Sequence, residues 1–344
     1  MIHSYGGKLS PQEARRWHDW FFAHGRDATT FLYAHDEPSP ADFPAINEIA
    51  RRARPVPSFV THTFVPQLET ALFAALPSAF SVTQAARART AGREQWIYNG
   101  VRPFSGSFVV DDVAISPRVN AWIQYKYGIQ RWFYWESTYY NDAQGGRGPI
   151  DVWREPINFS NGDGDRLNGD GLLFYPGRDL LFPAQDRGFD APLPSLRLKN
   201  WRRGLQDVEY LVLARRAGHG AAVDRLLQTL IPRALADETA DGAPVAWPED
   251  GERWLQARRL LADWLTRPGD PAHVPSSLGV GPEPRSRRWA RQLRAVPQRL
   301  GRRRLALLAA GSAAALLLLA GGALHWRHSR RQRRGRAARQ QPPR

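Results

Sequence analysis

Phe31-Leu32-Tyr33-Ala34-His35-Asp36-Glu37-Pro38 carries the strongest fold signal in the chain. A short apolar and aromatic run leads into two adjacent carboxylates, and a helix start, Ser39-Pro40-Ala41-Asp42, follows at once. A buried parallel strand delivers acids to the rim of an α/β fold in this way. A strand ending in a charged turn reads the same locally, so the flanking chain has to choose.

Outward from that stretch the chain keeps a strand–helix rhythm. Upstream, Ser10-Pro11-Gln12-Glu13 is a capping box with proline at the first helical position, and predicts a helix to about His24. Downstream, strands are expected at 56–62, 79–82, 95–98 and 129–135, with a short helix over 65–76. Ser116-Pro117 opens a further helix, which Gly128 closes. With 31–33 that makes five strands alternating with helices, an α/β pattern with a parallel sheet. Residues 136–194 break the rhythm with a long Gly-, Asp-, Asn- and Pro-rich excursion. A structureless loop of that length is rare, so function or hairpins are expected there. An amphipathic helix is then expected at 196–217, and two further helices at 223–235 and 253–265.

Charge divides the chain unevenly. Residues 285–344 carry 17 arginines and no acid, which leaves 31 basic against 33 acidic residues in 1–284, about −2. The body is not built to hold a polyanion, and no nucleic-acid partner is expected. Residues 305–324 are Leu, Ala and Gly with one Ser, long enough to cross a bilayer as a helix. Both flanks are basic, which suits anionic lipid headgroups but leaves the orientation undecided. The chain is therefore expected to be a single-pass membrane protein near its C-terminus, with a lipid bilayer as partner. The organisation expected is a barrel-like unit at 1–217, a helical extension at 218–266, a Pro/Gly- then Arg-rich linker at 267–304, the span at 305–324 and a basic tail at 325–344. No cysteine occurs, so disulfides and thiolate chemistry are excluded.

The chemistry-bearing residues collect at strand ends. Asp36 and Glu37 serve one pocket only if the chain turns between them, since neighbours on a strand face opposite ways. One acid then protonates a leaving group while the other orients the ligand. Tyr98 and Asn99 end a second strand, and Tyr134 and Trp135 end the aromatic strand Trp132-Phe133-Tyr134-Trp135. Period-2 alternation puts Trp132 and Tyr134 on one face and Phe133 and Trp135 on the other, with Trp135 nearest the rim. Aromatic faces suit the apolar faces of sugar rings. In the excursion, Asp170 and Tyr175 are further pocket candidates. Asp163 and Asp165 do not complete a calcium loop, because Leu167 stands at the third ligand position. No G-x-S-x-G elbow and no H-E-x-x-H motif occurs, so neither a serine hydrolase nor a metal site is expected, and no cofactor.

Four segments in this order resemble the catalytic domain of glycoside hydrolase family 123 and its relatives. They are Tyr33…Asp36-Glu37-Pro38, Gly128 to Trp135, Gly169-Asp170-Gly171…Tyr175-Pro176-Gly177, and Ser195-Leu196-Arg197-Leu198…Arg203-Gly204-Leu205-Gln206-Asp207-Val208-Glu209-Tyr210-Leu211. The resemblance spans roughly 8–217 and implies a partial (β/α)8 barrel, strands four to eight, followed by the C-terminal helices and the transmembrane helix. It implies a retaining β-N-acetylhexosaminidase in which the substrate's acetamido oxygen is the nucleophile. Glu37 would be the general acid/base, Asp36 would orient the acetamido group, and the substrate would be a glycan or amino sugar. Strands one to three have no counterpart, so a longer gene product or a partner is expected to complete the barrel. The alternative expectation is a non-catalytic carbohydrate-binding or surface scaffold protein, or an inactive truncated fragment.

Overall fold

A computed structural model describes residues 10–25, 29–162, 164–240, 242–266 and 273–281. Its centre is a five-stranded, wholly parallel sheet in sequential order: β1 Leu32–His35, β2 Ser58–Val60, β3 Leu72–Ala75, β4 Glu94–Tyr98 and β5 Trp132–Phe133. Three of the four crossovers carry a helix, and the β2–β3 crossover is a loop. The helices are α1 Pro11–His24, α2 Phe43–Ala53, α3 Val82–Thr90, α4 Ser116–Lys126, α5 Leu196–Ala214, α6 Gly220–Leu230 and α7 Gly251–Thr266.

The two faces of the sheet differ. On the helix side, Val60 and Phe73 pack with Ile46 of α2 and Ala88 of α3, while Ile97 and Trp132 join Trp122 and Ile123 of α4. The opposite face is aromatic: Tyr33, Phe59, Trp96, Tyr98 and Phe133 cluster with Phe31. Their rings meet edge-on or tilted, with Phe59 4.9 Å from Phe31 and 5.1 Å from Phe133, the arrangement ring quadrupoles favour. Strand register fixes this alternation, since Tyr33 pairs with Phe59 and Tyr98 with Phe133 across the sheet.

The larger core lies beyond β5, where α4 to α7 stack. Gly204 is the contact point of α5 on α4, because a Cβ there would fall 2.3 Å from the Arg118 carbonyl oxygen. A buried ionic knot sits beside it. Asp207 accepts from Arg118 Nε at 2.6 Å, Trp122 Nε1 at 3.1 Å and Arg258 at 2.8 Å. The excursion is not structureless. It folds into three small antiparallel ladders, β6 Asn141–Asp142 with β7 Gly148–Pro149, β8 Phe159–Ser160 with β9 Arg166–Leu167, and β10 Phe174–Tyr175 with β11 Leu193–Pro194. Fully buried Asp142 ties the first two together through Ser160 and Arg147.

Two element assignments change. The helix expected at 65–76 is a loop followed by β3, since Leu72-Phe73-Ala74-Ala75 is buried throughout and gives no helical stripe. The strand expected at 79–82 is instead the start of α3, where the Ser81 side chain caps Gln84 N–H. The sheet has five strands and is consistent with part of a (β/α)8 barrel.

The expected membrane architecture is corrected. Among the described residues no helix is long and apolar enough to cross a membrane, and the expected span at 305–324 lies outside the described residues, as does the basic tail. The fold class is accordingly a parallel α/β sheet with packed helices. Nothing among the described residues supports the transmembrane helix, the single-pass placement or the lipid bilayer as partner.

Candidate functional site

β1 is irregular where it matters. Its register with β2 shifts between Tyr33 and His35, a bulge that re-aims the residues that follow. Two residues on, Glu37 takes φ 44°, a left-handed conformation uncommon for a side chain of its size. Together these turn both carboxylates into reach of neighbouring strand ends, which a regular strand would forbid.

Thr61, just past β2, holds the turn. Its Oγ1 accepts the Glu37 backbone N–H at 2.6 Å and donates to Asp36 Oδ1 at 2.7 Å. Tyr33 donates its hydroxyl to the same Asp36 oxygen at 2.5 Å. Tyr98, buried at the end of β4, donates its hydroxyl to Glu37 Oε1. Burial first, and then the Glu37 carboxylate it bonds, push the Tyr98 phenol far above its ordinary range. It therefore remains a donor at any physiological pH. Each carboxylate thus has one oxygen engaged, while Asp36 Oδ2 and Glu37 Oε2 have no partner among the described residues. His35 is exposed and turned to the Asp36 carbonyl, 2.8 Å away.

The rim continues through β4 and β5. Asn99 also has positive φ, 54°, and links the strand ends. Its Oδ1 accepts Trp135 N–H at 3.2 Å and its carbonyl accepts Trp132 Nε1 at 2.5 Å. Trp135 stands beyond β5 against Tyr139 and Phe159, at ring distances of 4.9 and 5.6 Å. Gly171 admits that ring, since a Cβ would lie 2.6 Å from it, and its φ of +63° favours glycine independently. Tyr134 lies on the other side of the strand, packed on Phe108.

Asp170 draws the excursion to this rim. One carboxylate oxygen accepts from Tyr134 OH at 3.1 Å and from Trp135 Nε1 at 3.4 Å. Burial pushes the Asp170 carboxyl up from its ordinary value, and the Trp135 and Tyr134 bonds work against that. Asn158 and Arg197 hold its turn: Asn158 donates to the Asp170 carbonyl at 2.8 Å, and Arg197 donates to the carbonyls of Gly169 and Leu172 at 2.5 and 2.6 Å.

Of the residues singled out from sequence, Asp36, Glu37 and Tyr98 form one hydrogen-bonded group, and Asn99, Tyr134, Trp135 and Asp170 form a second. Adjacent Tyr98 and Asn99 join the two. Tyr175 lies in the excursion's own small core, its ring tilted 4.8 Å from Trp153 and its hydroxyl accepting from Arg197 at 3.4 Å. Thr61 and Phe133 were missed. Thr61 sat inside a strand expected to run to 62, with nothing to mark it as the strand's end. Phe133 has the parity of Trp135 but lies farther from the rim, so position alone favours Trp135.

No protein-family model matches the chain, and no curated protein matches it. Among the described residues no cluster of three or more side chains suits a metal ion. The expectation of a membrane-anchored hydrolase is corrected: among the described residues no helix is long and apolar enough to be the anchor. The non-catalytic alternative fits the geometry better.

Proposed function

We propose that the chain is a carbohydrate-binding protein of glycosidase descent, with its site at the C-terminal ends of β1, β4 and β5. One observation carries this reading. Two neighbouring carboxylates are locked by protein hydroxyls so that each keeps one oxygen without a partner among the described residues, beside half-buried aromatic rings. Paired acceptors of this kind take hydroxyl or amide N–H donors from a sugar, and charge-assisted bonds are the strong ones. The rings of Phe133 and Trp135 supply apolar faces for the ring carbons.

The resemblance to glycoside hydrolase family 123 supports the descent, because the same Asp36-Glu37 pair and aromatic strand carry both. Retention of the pair is accounted for by binding, since both groups serve as acceptors without any proton transfer.

Titration of the full chain with neutral oligosaccharides, N-acetylhexosamine oligomers included, tests the reading by calorimetry. Saturable binding is expected in the wild type, at least tenfold weaker in Asp36→Asn/Glu37→Gln, with the sugar recovered intact. Absence of binding across the series, or equal binding by the variant, would refute it.

A further inference from the structure

A second concavity, of about 690 Å³, opens between the start of α4, the first half of α5 and the start of α7. It has no described contact with the Asp36-Glu37 site. Its polar lining is dominated by cations: Lys199, Arg202 and Arg203 from α5, and Arg118 beneath. The three α5 residues stand at spacings of three and four, so they share one helix face and repel one another. None has a carboxylate partner among the described ion pairs, whereas Glu249, the acid in the lining, is held by Arg102 at 2.5 Å.

Arg118 adds an independent sign. It is 4% exposed, and it spends Nε on Asp207 and one Nη on the Trp254 carbonyl at 3.1 Å. Its remaining Nη1 has no partner among the described residues. Asp207 meanwhile already balances Arg258, so the floor of the groove keeps a surplus positive charge. Apolar surface lies alongside: Ile115, Leu255 and Leu196, the last 77% exposed.

We propose that this groove binds a phosphate monoester, its dianion on Arg118, Arg202 and Arg203 and its organic body against Ile115, Leu196 and Leu255. Guanidinium forks match phosphate oxygens in pairs, and a buried one gains most from that match. The groove also exceeds what the phosphate alone would fill. The chain's own tail is no competitor for it, being rich in arginine and free of acid.

The tail attracts anions by itself, so the test must localise binding. Amide hydrogen exchange on the full chain, with and without phenyl phosphate, does so. Slowed exchange is expected at 196–206 and 249–255, with a calorimetric affinity at least tenfold weaker in Arg202→Ala/Arg203→Ala. Inorganic phosphate is expected to bind more weakly than phenyl phosphate. Should the double variant fail to fold, Lys199→Ala is expected to weaken binding in the same direction by a smaller factor. Protection confined to 285–344, or affinities indifferent to these substitutions, would overturn the proposal. Arg118 is left intact because removing it would strand Asp207.

Discussion

Thr61 shows most clearly how a single hydroxyl sets the site. It is 3% exposed, accepts the Glu37 N–H and donates to Asp36, so it fixes a backbone turn and a side chain at once. Thr61→Val keeps the volume but leaves the Glu37 amide and an Asp36 oxygen short of a partner. The expected cost is about 1–3 kcal/mol in denaturant unfolding, with faster exchange of the Glu37 amide. Thr61→Ser restores both the amide protection and the saccharide affinity, which a purely packing role would not explain. Tyr98→Phe removes the donor from Glu37 Oε1 and leaves the ring in place, so its effect is expected on ligand affinity more than on stability. Unchanged affinity in that variant would place the sugar away from Glu37.

The element scale shows why some of the chain was legible and some was not. α1 was readable because its signals are local: Ser10 and Glu13 satisfy each other's backbone amides, as the sequence Ser-Pro-Gln-Glu demands. β4 and β5 were readable from apolar runs ending in polar or aromatic residues. β3 was not, because Leu72-Phe73-Ala74-Ala75 is buried on both faces and carries no period. The start of α3 was hidden for another reason. Part of its cap is distant in sequence: Glu238 accepts from Ser81 Oγ at 2.7 Å and from Thr83 N–H at 2.8 Å. Burial raises the Glu238 carboxyl, but the Thr83 and Ser81 bonds outweigh it and bring it from 4.5 down to about 2. A carboxyl lowered in the folded state gives stability that is present above its unfolded value and lost as pH falls through the folded one. Stability is therefore expected to fall between about pH 4.5 and pH 2 in the wild type, and less steeply in Glu238→Gln. The positive φ of Glu37 was likewise out of reach, since its backbone N–H is held by Thr61, just past β2, and the bulge in β1 shows only in its register with β2.

At the scale of the whole molecule, the two packing systems meet different physical demands. The sheet holds the acid pair through aromatic contacts on one face, whereas the α4–α7 stack is organised around Asp207. Removing that carboxylate leaves Arg118 charged, buried and uncompensated. Asp207→Ala is therefore expected to cost about 3–5 kcal/mol by denaturant melt. Gly204→Ala, which forces α5 off the Arg118 carbonyl, is expected to cost about 1–3 kcal/mol. Neither substitution touches Asp36, Glu37 or Trp135. Where the folded state survives them, saccharide affinity is expected to be unchanged.

A crystal structure of the chain soaked with its tightest-binding oligosaccharide would show whether the acid pair holds the sugar. Sugar hydroxyl or amide groups are expected within hydrogen-bond distance of Asp36 Oδ2 and Glu37 Oε2, with an apolar ring face against Phe133 or Trp135 and an unbroken glycosidic bond. Sugar seated elsewhere on the molecule, with Asp36 and Glu37 untouched, would contradict it.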